Sequence, residues 1–595
     1  MGIPGAERCL QAEDPMRFLP FLELRALRAP DLGRDALAAL ATTFLAIPQG
    51  VAYAMIAGLP PVMGLYASIV PTIVGSLFRS SRHVVSGPTN AVSLLVGGAV
   101  GALAQDLGAE PAVVATSMAF MVGVMQLAAG MLRLGSLVDY ISSSVVLGYI
   151  TGAGVLIGIG QLHNLTGTDG GRGDVVTRIL VWMDGLHAVN LTAVVVSVAT
   201  AGTVVALRPL GRKVPGELIA LILSTAMSIG LGLTDQLSVV GDLAPVPATL
   251  PPLTVPTMFD PTIVMVALAA TVLSLVESSS LARSIADRTG DRLDISVEFA
   301  GQGLSNVAAA FSGGYPVSGS LSRSALNHSA GAQTRMGGVL GGLFTAVCLL
   351  VAGPLIERVP VAALAGLLMV VAVRLVNVPR IRQTFRAGRA DALAFLVTLA
   401  GTWALRLDHA IYLGVTISIV LFLRRARLLV VRELGVDPSG RLREYTPADG
   451  PRASCVRVVH VEGSLFFGAA GELRDALVSA GEGDVRALVV RLKRTQGMDL
   501  TTASVFAAVA EGMAAQGRHL VLVGMRPDAM DVLERSGAAE RIGRANLVPT
   551  RSGWFEAMDE GVTRALELAK APPDSPLREY LAMRASRKEP EPTAG

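Results

Sequence analysis

The sequence predicts an all-α membrane domain of fourteen segments in a 7+7 inverted repeat, followed by a small cytosolic α/β domain. Three observations predict it. Apolar residues make up 51% of the 595-residue chain and charged ones only 16%, with a mean hydropathy of +0.55. A soluble protein of this size carries more charge, so most of the chain belongs in lipid. Apolar segments come in two sets of seven, separated by the Pro-rich, mildly acidic stretch Asp235–Asp260. The third segment of each set is interrupted, at Val85-Ser86-Gly87-Pro88-Thr89-Asn90 and at Pro316-Val317-Ser318-Gly319-Ser320-Leu321-Ser322-Arg323. Gly and Pro there resist a continuous spanning helix, so segments 3 and 10 should restart as half-helices. Irregular backbone at membrane depth needs protein or a wet cavity around it. Matching breaks in two halves point to a transporter's midplane site.

Residues 1–30 carry acids with Arg17, Arg25 and Arg28 but no apolar stretch before a cleavage site. They read as a cytosolic N-terminal tail rather than a signal peptide. The transmembrane domain is expected over 31–430, with repeats 31–235 and 258–430. Ala36–Phe78 contains no charge and suffices for two spans at about 20 residues each. Val84–Gln105, Pro111–Leu132, Tyr140–Thr168, Asn190–Leu207 and Leu218–Thr234 complete the first set. Pro261–Ala286, Phe299–Phe311, Ser320–Ala330, Met336–Ile356, Val359–Val373, Ala392–Leu405 and Ala410–Leu423 form the second.

Charge asymmetry gives the orientation. Arg79, Arg82, Arg133, Arg208, Arg212, Lys213, Arg288, Arg292, the run Arg374–Arg389 and Arg424, Arg425 and Arg427 share one side. Asp106, Glu110, Asp169 and Asp235 fall on the other. The positive-inside rule puts both termini in the cytoplasm of a multi-pass inner-membrane protein. The Arg cluster of Val378–Ala390 suits an amphipathic surface helix.

Composition changes after Val431. A linker is expected over 431–453 and an α/β domain over 454–570, with strands and helices alternating. Strands are expected at Val456–Val461, Ala487–Leu492 and His519–Val523. Helices are expected at Leu473–Ser479, Thr501–Ala514, Asp528–Ser536 and Trp554–Leu568. Residues 571–595, rich in Pro, Arg and Glu, read as a flexible tail.

At Ile47-Pro48-Gln49-Gly50-Val51-Ala52-Tyr53-Ala54 and Pro60-Pro61-Val62-Met63-Gly64-Leu65-Tyr66 the chain resembles the sulfate permease (SulP) family. The likeness continues through Ser81-Arg82-His83, Gly87-Pro88, Glu277, Ala286-Asp287 and Gly314–Asn327, and the C-terminal part looks like that family's STAS domain. The resemblance implies a core (segments 1–4 and 8–11) moving against a gate (5–7 and 12–14), usually in a homodimer. It implies substrate between half-helices 3 and 10 and elevator-type alternating access.

A half-helix start offers free N–H groups and roughly +0.5 of a charge, which suits an anion. Thr89, Asn90 and Ala91 open the first half-helix; Asn90 would also serve as a cap. Ser320, Leu321 and Ser322 open the second, and Arg323 adds a cation. Placing one at the bilayer centre costs about 2.5–3.5 kcal/mol, so a role beyond packing is expected. Family members carry an Arg at the matching position beside the anion site. Gln49 and Tyr53 lie one turn apart beyond Pro48; they face either the site or a kinked helix contact. The resemblance places substrate-site side chains at both, although some proton-coupled relatives have an acid where this chain has Gln49.

Glu277 is the lone acid between Asp260 and Asp287. If it approaches Arg323, the two attract by roughly 4 kcal/mol at 4 Å and an effective dielectric of 20. Protonating Glu277 would then free Arg323 for an anion, coupling a proton to transport; the bland alternative is a permanent structural salt bridge. Sodium-driven relatives have an Asp there and a Thr four residues later. Here Glu277 and Leu281 stand instead, and Leu281 offers no oxygen to a hard cation. In the STAS-like part, Thr501 of Asp499-Leu500-Thr501-Thr502 matches a phosphoacceptor position, though a plain helix cap explains the same residues.

The near-neutral charge of +3 implies no nucleic-acid partner. Cys9, Cys348 and Cys455 form no disulfide framework or zinc pattern. His83, His163 and His328 lack metal-ligand spacing and read as loop or packing residues. No nucleophile–base pair, metal set or nucleotide loop suggests an enzyme, and no cofactor is expected beyond a coupling proton. The expected function is secondary active transport of small inorganic anions, with proton-coupled sulfate uptake leading. Sodium-coupled bicarbonate or dicarboxylate transport is the alternative within the class. An anion-binding membrane sensor or scaffold that recruits a cytosolic protein through STAS is the alternative outside it.

Overall fold

A computed structural model describes residues 29–170, 175–210, 215–437, 439, 441–445, 455–553 and 555–586. The N-terminal tail expected over 1–30 lies almost wholly outside the described residues. The chain forms two compact units that divide between Ile419 and Val420.

In the first unit α1 (Ala29–Ile56) and α2 (Pro61–Phe78) lead to strand β1 (Ser86–Gly87) and α3 (Asn90–Asp106). Then come α4 (Pro111–Met131), α5 (Ser143–Thr166), the short α6 (Val175–Asp184), α7 (Leu191–Leu207), α8 (Gly216–Gly230) and the single turn α9 (Val240–Leu243). The second half runs α10 (Pro261–Thr289), α11 (Ile295–Phe311), β2 (Ser318–Gly319), α12 (Leu321–Ser329), α13 (Met336–Glu357) and α14 (Val361–Leu375). It continues through α15 (Val378–Ala387), α16 (Arg389–Ala404) and α17 (Leu407–Ala426). Leaving aside α6, α9 and α15, these helices are the fourteen expected segments. Both third segments restart after a short strand, as Gly and Pro at those points require.

Local chemistry sets the helix starts. Pro61, Pro111 and Pro261 each occupy a first turn, where a missing N–H costs nothing. Asp260 accepts the Thr262 N–H at 2.8 Å, and Asp294 accepts those of Ser296 and Val297 at 2.9 and 3.2 Å. The repeats interlock through α4 and α11. A Cβ on Gly303 would sit 2.5 Å from the Leu127 nitrogen, so only glycine permits that approach. The outward faces stay apolar, as Leu191, Val195, Val198 and Val205 on α7 illustrate. Such a surface is stable against lipid and costly in water. The Arg-rich segment forms α15 with no buried residue.

The second unit is a six-stranded sheet of order β4-β3-β5-β6-β7-β8. Its strands are β3 (Val430–Val436), β4 (Leu442–Glu444), β5 (Val456–Ser464), β6 (Ala487–Gln496), β7 (His519–Met525) and β8 (Leu547–Pro549). The last four pair in parallel, whereas β3 runs antiparallel to both neighbours. Helices α18 (Ala470–Ala480), α19 (Leu500–Ala514), α20 (Pro527–Arg535), α21 (Ala538–Ile542), α22 (Glu556–Leu568) and α23 (Pro576–Ser586) surround it. Val459, Leu488 and Phe506 fill the core on one face, and Val458, Val489 and Val562 on the other.

Two boundaries differ from the sequence reading. Much of the expected linker 431–453 is sheet, because β3 pairs along β5 from Val430 onward. The expected flexible tail holds α23, anchored by buried Leu577 and Tyr580, whose hydroxyl donates to Asp559 at 2.7 Å. Two side chains finding partners outweigh the Pro- and Arg-rich composition.

Candidate functional site

The two breaks meet. β1 and β2 pair antiparallel, Ser86 opposite Gly319 and Gly87 opposite Ser318. The Ser320 N–H donates to the Val85 carbonyl at 2.9 Å, and the Val85 N–H donates to Ser324 Oγ at 2.9 Å. Backbone groups that would be orphaned at this depth are thereby satisfied. α3 and α12 start at this crossing, so their electropositive ends flank it.

Arg323 is the third residue of α12 and is only 1% exposed. Its Nη2 donates to the Pro88 carbonyl at 2.8 Å and Nη1 to Ser68 Oγ at 3.4 Å. Nε has no partner among the described residues. The guanidinium lies flat against Gly87, where a Cβ would meet Nη2 at 2.3 Å; Gly87 also takes a φ of +154°. Both facts demand glycine there.

Tyr53 is buried on α1 and interacts electrostatically with Glu217, Arg323, Tyr315 and Glu277. Tyr315 shares a 2.9 Å hydrogen bond with Ser93. Gln49 is buried and bonds in two directions. Its amide nitrogen donates to Glu217 Oε2 at 3.2 Å, and its oxygen accepts from Ser322 Oγ at 3.3 Å. Glu217 in turn lies 3.5 Å from Arg374 Nη1. Thr89 is buried and donates to Glu277 Oε2 at 3.2 Å. Asn90 Oδ1 accepts the Ala91 N–H at 2.8 Å. The Leu321 side chain is exposed.

The structure thus gathers most of the expected residues around one crossing but revises two details. The N–H groups of Ser320 and Ala91 are already committed, to Val85 and to Asn90. Arg323 holds the Pro88 carbonyl and Glu277 the Thr89 hydroxyl, so the expected direct approach of Glu277 to Arg323 is replaced by grips on adjacent residues. Leu281 packs with Val84, Ala282 and Ile285 in an apolar cluster. Ser68, Tyr315, Glu217 and Arg374 were not among the expected site residues; Arg374 stood there only in a run of charges that sets orientation. Glu217 stands one residue before a charge-free run, a signal that its placement outside the run concealed.

His83 and His328, expected as loop or packing residues, stack edge to face at 5.1 Å. Among the described residues no three His, Cys, Asp or Glu side chains could hold a metal ion. In the second unit Asp499 caps α19 by accepting the Thr502 N–H at 2.9 Å, and Thr502 closes the box. Thr501 is left exposed.

The profile of the sulfate permease family matches residues 32–398, and that of the STAS domain residues 451–552. Solute carrier family 26 member 6 of Homo sapiens is 31% identical over 77% of this chain and 64% of its own length. Sulfate transporter 3.2 of Arabidopsis thaliana is 26% identical over 94% of this chain and 90% of its own. Among solved structures, murine Slc26a9, an anion transporter in the inward-facing state, superposes with a TM-score of 0.83 at 20% identity. That match covers 95% of this chain and 97% of the murine one. The transmembrane domain of the cyanobacterial bicarbonate transporter BicA gives 0.56 at 21% identity, covering 66% and 98%.

Proposed function

The chain belongs to the sulfate permease family, and from that premise we propose that it carries small inorganic anions across the membrane, sulfate first among them, with a proton as coupling ion. The observation that carries this reading is Arg323: a buried cation in the first turn of a half-helix, one of its donors unpartnered among the described residues. A buried charge of this kind costs several kcal/mol unless something negative answers it. The α12 start, Arg323 and the polar groups of Gln49, Tyr53 and Ser322 form the anion site in this reading. Thr89, Asn90 and the α3 start supply the facing positive end.

Glu277 is the proton carrier in this proposal. Its carboxylate touches Thr89 at the mouth of α3, so adding a proton removes a negative charge beside the anion. Arginines at the inner ends support a cytoplasmic location for both termini in a cell membrane. Elevator-like motion of core against gate, a homodimer and a cytosolic partner or phosphorylation at Thr501 complete the proposal.

Uptake of radiolabelled sulfate into proteoliposomes tests it, with bicarbonate, chloride and succinate as competitors, with and without sodium, at two pH values. Saturable accumulation driven by an inward proton gradient supports the reading. Sodium-dependent uptake or preference for bicarbonate or succinate would replace sulfate and the proton. Binding without flux would make the protein a sensor.

A further inference from the structure

Gln49 sits between two claims on its amide. A carboxylate only accepts hydrogen bonds, so the 3.2 Å contact with Glu217 fixes the Gln49 nitrogen toward α8. The Gln49 oxygen must then face α12, where Ser322 gives it its only proton at 3.3 Å. Glu217 is itself held at 3.5 Å by Arg374 at the end of α14. One relay therefore runs from the half-helix that carries Arg323, through α1, to α8 and α14. While it holds, one Gln49 N–H and the Ser322 hydroxyl proton are both taken up within the protein.

We propose that Glu217 is a built-in competitor of the transported anion: its carboxylate holds the Gln49 amide, and through it the Ser322 proton, until a substrate oxyanion takes them over. This inference rests on the anion site proposed above and adds what controls it. Both rivals are negatively charged acceptors that compete for the orientation of one amide group. An anion that takes over the Ser322 proton and the Glu217-bound N–H turns Gln49 away from Glu217, which severs a contact between α1 and α8. Loading of the site and release of that helix contact become one event. Glu217 also sits where charge alone would repel an anion, so the test must separate contact from field.

Equilibrium binding of radiolabelled sulfate to the full-length protein does so, with bicarbonate and chloride tested by displacement. Glu217→Gln removes the charge and should tighten sulfate binding by about tenfold, the usual worth of a charge-assisted hydrogen bond. Glu217→Asp keeps the charge but withdraws the oxygens by one methylene, and should also tighten binding. In a Gln49→Ala background neither change should shift affinity by more than about twofold. Tightening by Glu217→Gln alone, or gains that persist without Gln49, would show a long-range field and overturn the competition. A wild-type protein that binds Arg323-dependent sulfate yet ignores all Glu217 changes would overturn it too. A wild type that binds none of the three anions would instead remove the anion site, and this inference with it.

Discussion

Arg79 and Glu298 form an ion pair with Nη1 and Oε1 3.2 Å apart and neither side chain exposed at all. Arg79 ends α2, and Glu298 lies in the first turn of α11. Ser81 N–H donates to the other Glu298 oxygen at 3.1 Å, and Ser278 joins both partners. Arg335 reaches the Arg79 carbonyl and, at 3.0 Å, that of Ser80. In sequence Arg79 reads as one more loop charge setting orientation; the fold makes it the pin between two repeats.

Removing one partner leaves a buried charge unanswered. Glu298→Leu should destabilise the protein by about 3–5 kcal/mol, and pairing it with Arg79→Met should recover much of that. Thermal unfolding of the detergent-purified variants measures this. Equal stability of single and double variants would show that the pair is not what holds α2 to α11.

Gly87→Ala should weaken sulfate affinity by about ten- to a hundredfold, because the new methyl displaces the guanidinium and loses one charged donor. Arg323→Gln should do at least as much. An alanine at Gly87 with unchanged affinity would mean that the guanidinium does not need its place against β1.

Glu277→Gln keeps an oxygen for the Thr89 hydroxyl and removes only the titrating charge. Uptake driven by a pH gradient should disappear, while sulfate–sulfate exchange continues at a rate within about threefold of wild type. Unaltered pH dependence in proteoliposomes would assign the proton elsewhere.

His460 on β5 gives the C-terminal unit an acid-sensitive point. Burial, then the Arg491 charge, hold its imidazole below the ordinary 6.5, and Glu462 at 3.0 Å from Nε2 works the other way. The unfolded chain therefore binds this proton more readily, so stability rises with pH. The contribution is complete above about pH 6.5 and is lost as pH falls through the lower folded value. Unfolding of the C-terminal unit should shift to lower temperature between about pH 7 and pH 5, and His460→Gln should flatten that shift. An unchanged slope in the variant would exclude His460 as its source.

Hydropathy, periodicity and the two Gly–Pro interruptions determined the fourteen segments, the broken third of each set and the strand–helix alternation of the C-terminal unit. These features are local: a run of apolar residues or a Val-Ser-Gly turn acts through its own backbone and solvent. Arg323 was legible for the same reason, as an isolated cation in the first turn of a broken segment.

Tertiary structure alone decided what each polar group touches. Glu277 turned to Thr89 instead of Arg323, and Glu217 reached Gln49 across 168 positions of chain. Arg79 left its loop reading to pair with Glu298, and β3 and α23 gained partners in segments that looked like linker and tail. Side-chain pairing depends on where folding brings distant backbones, and in a low-dielectric interior a difference of one partner decides which contact wins. No local pattern along the chain encodes that choice.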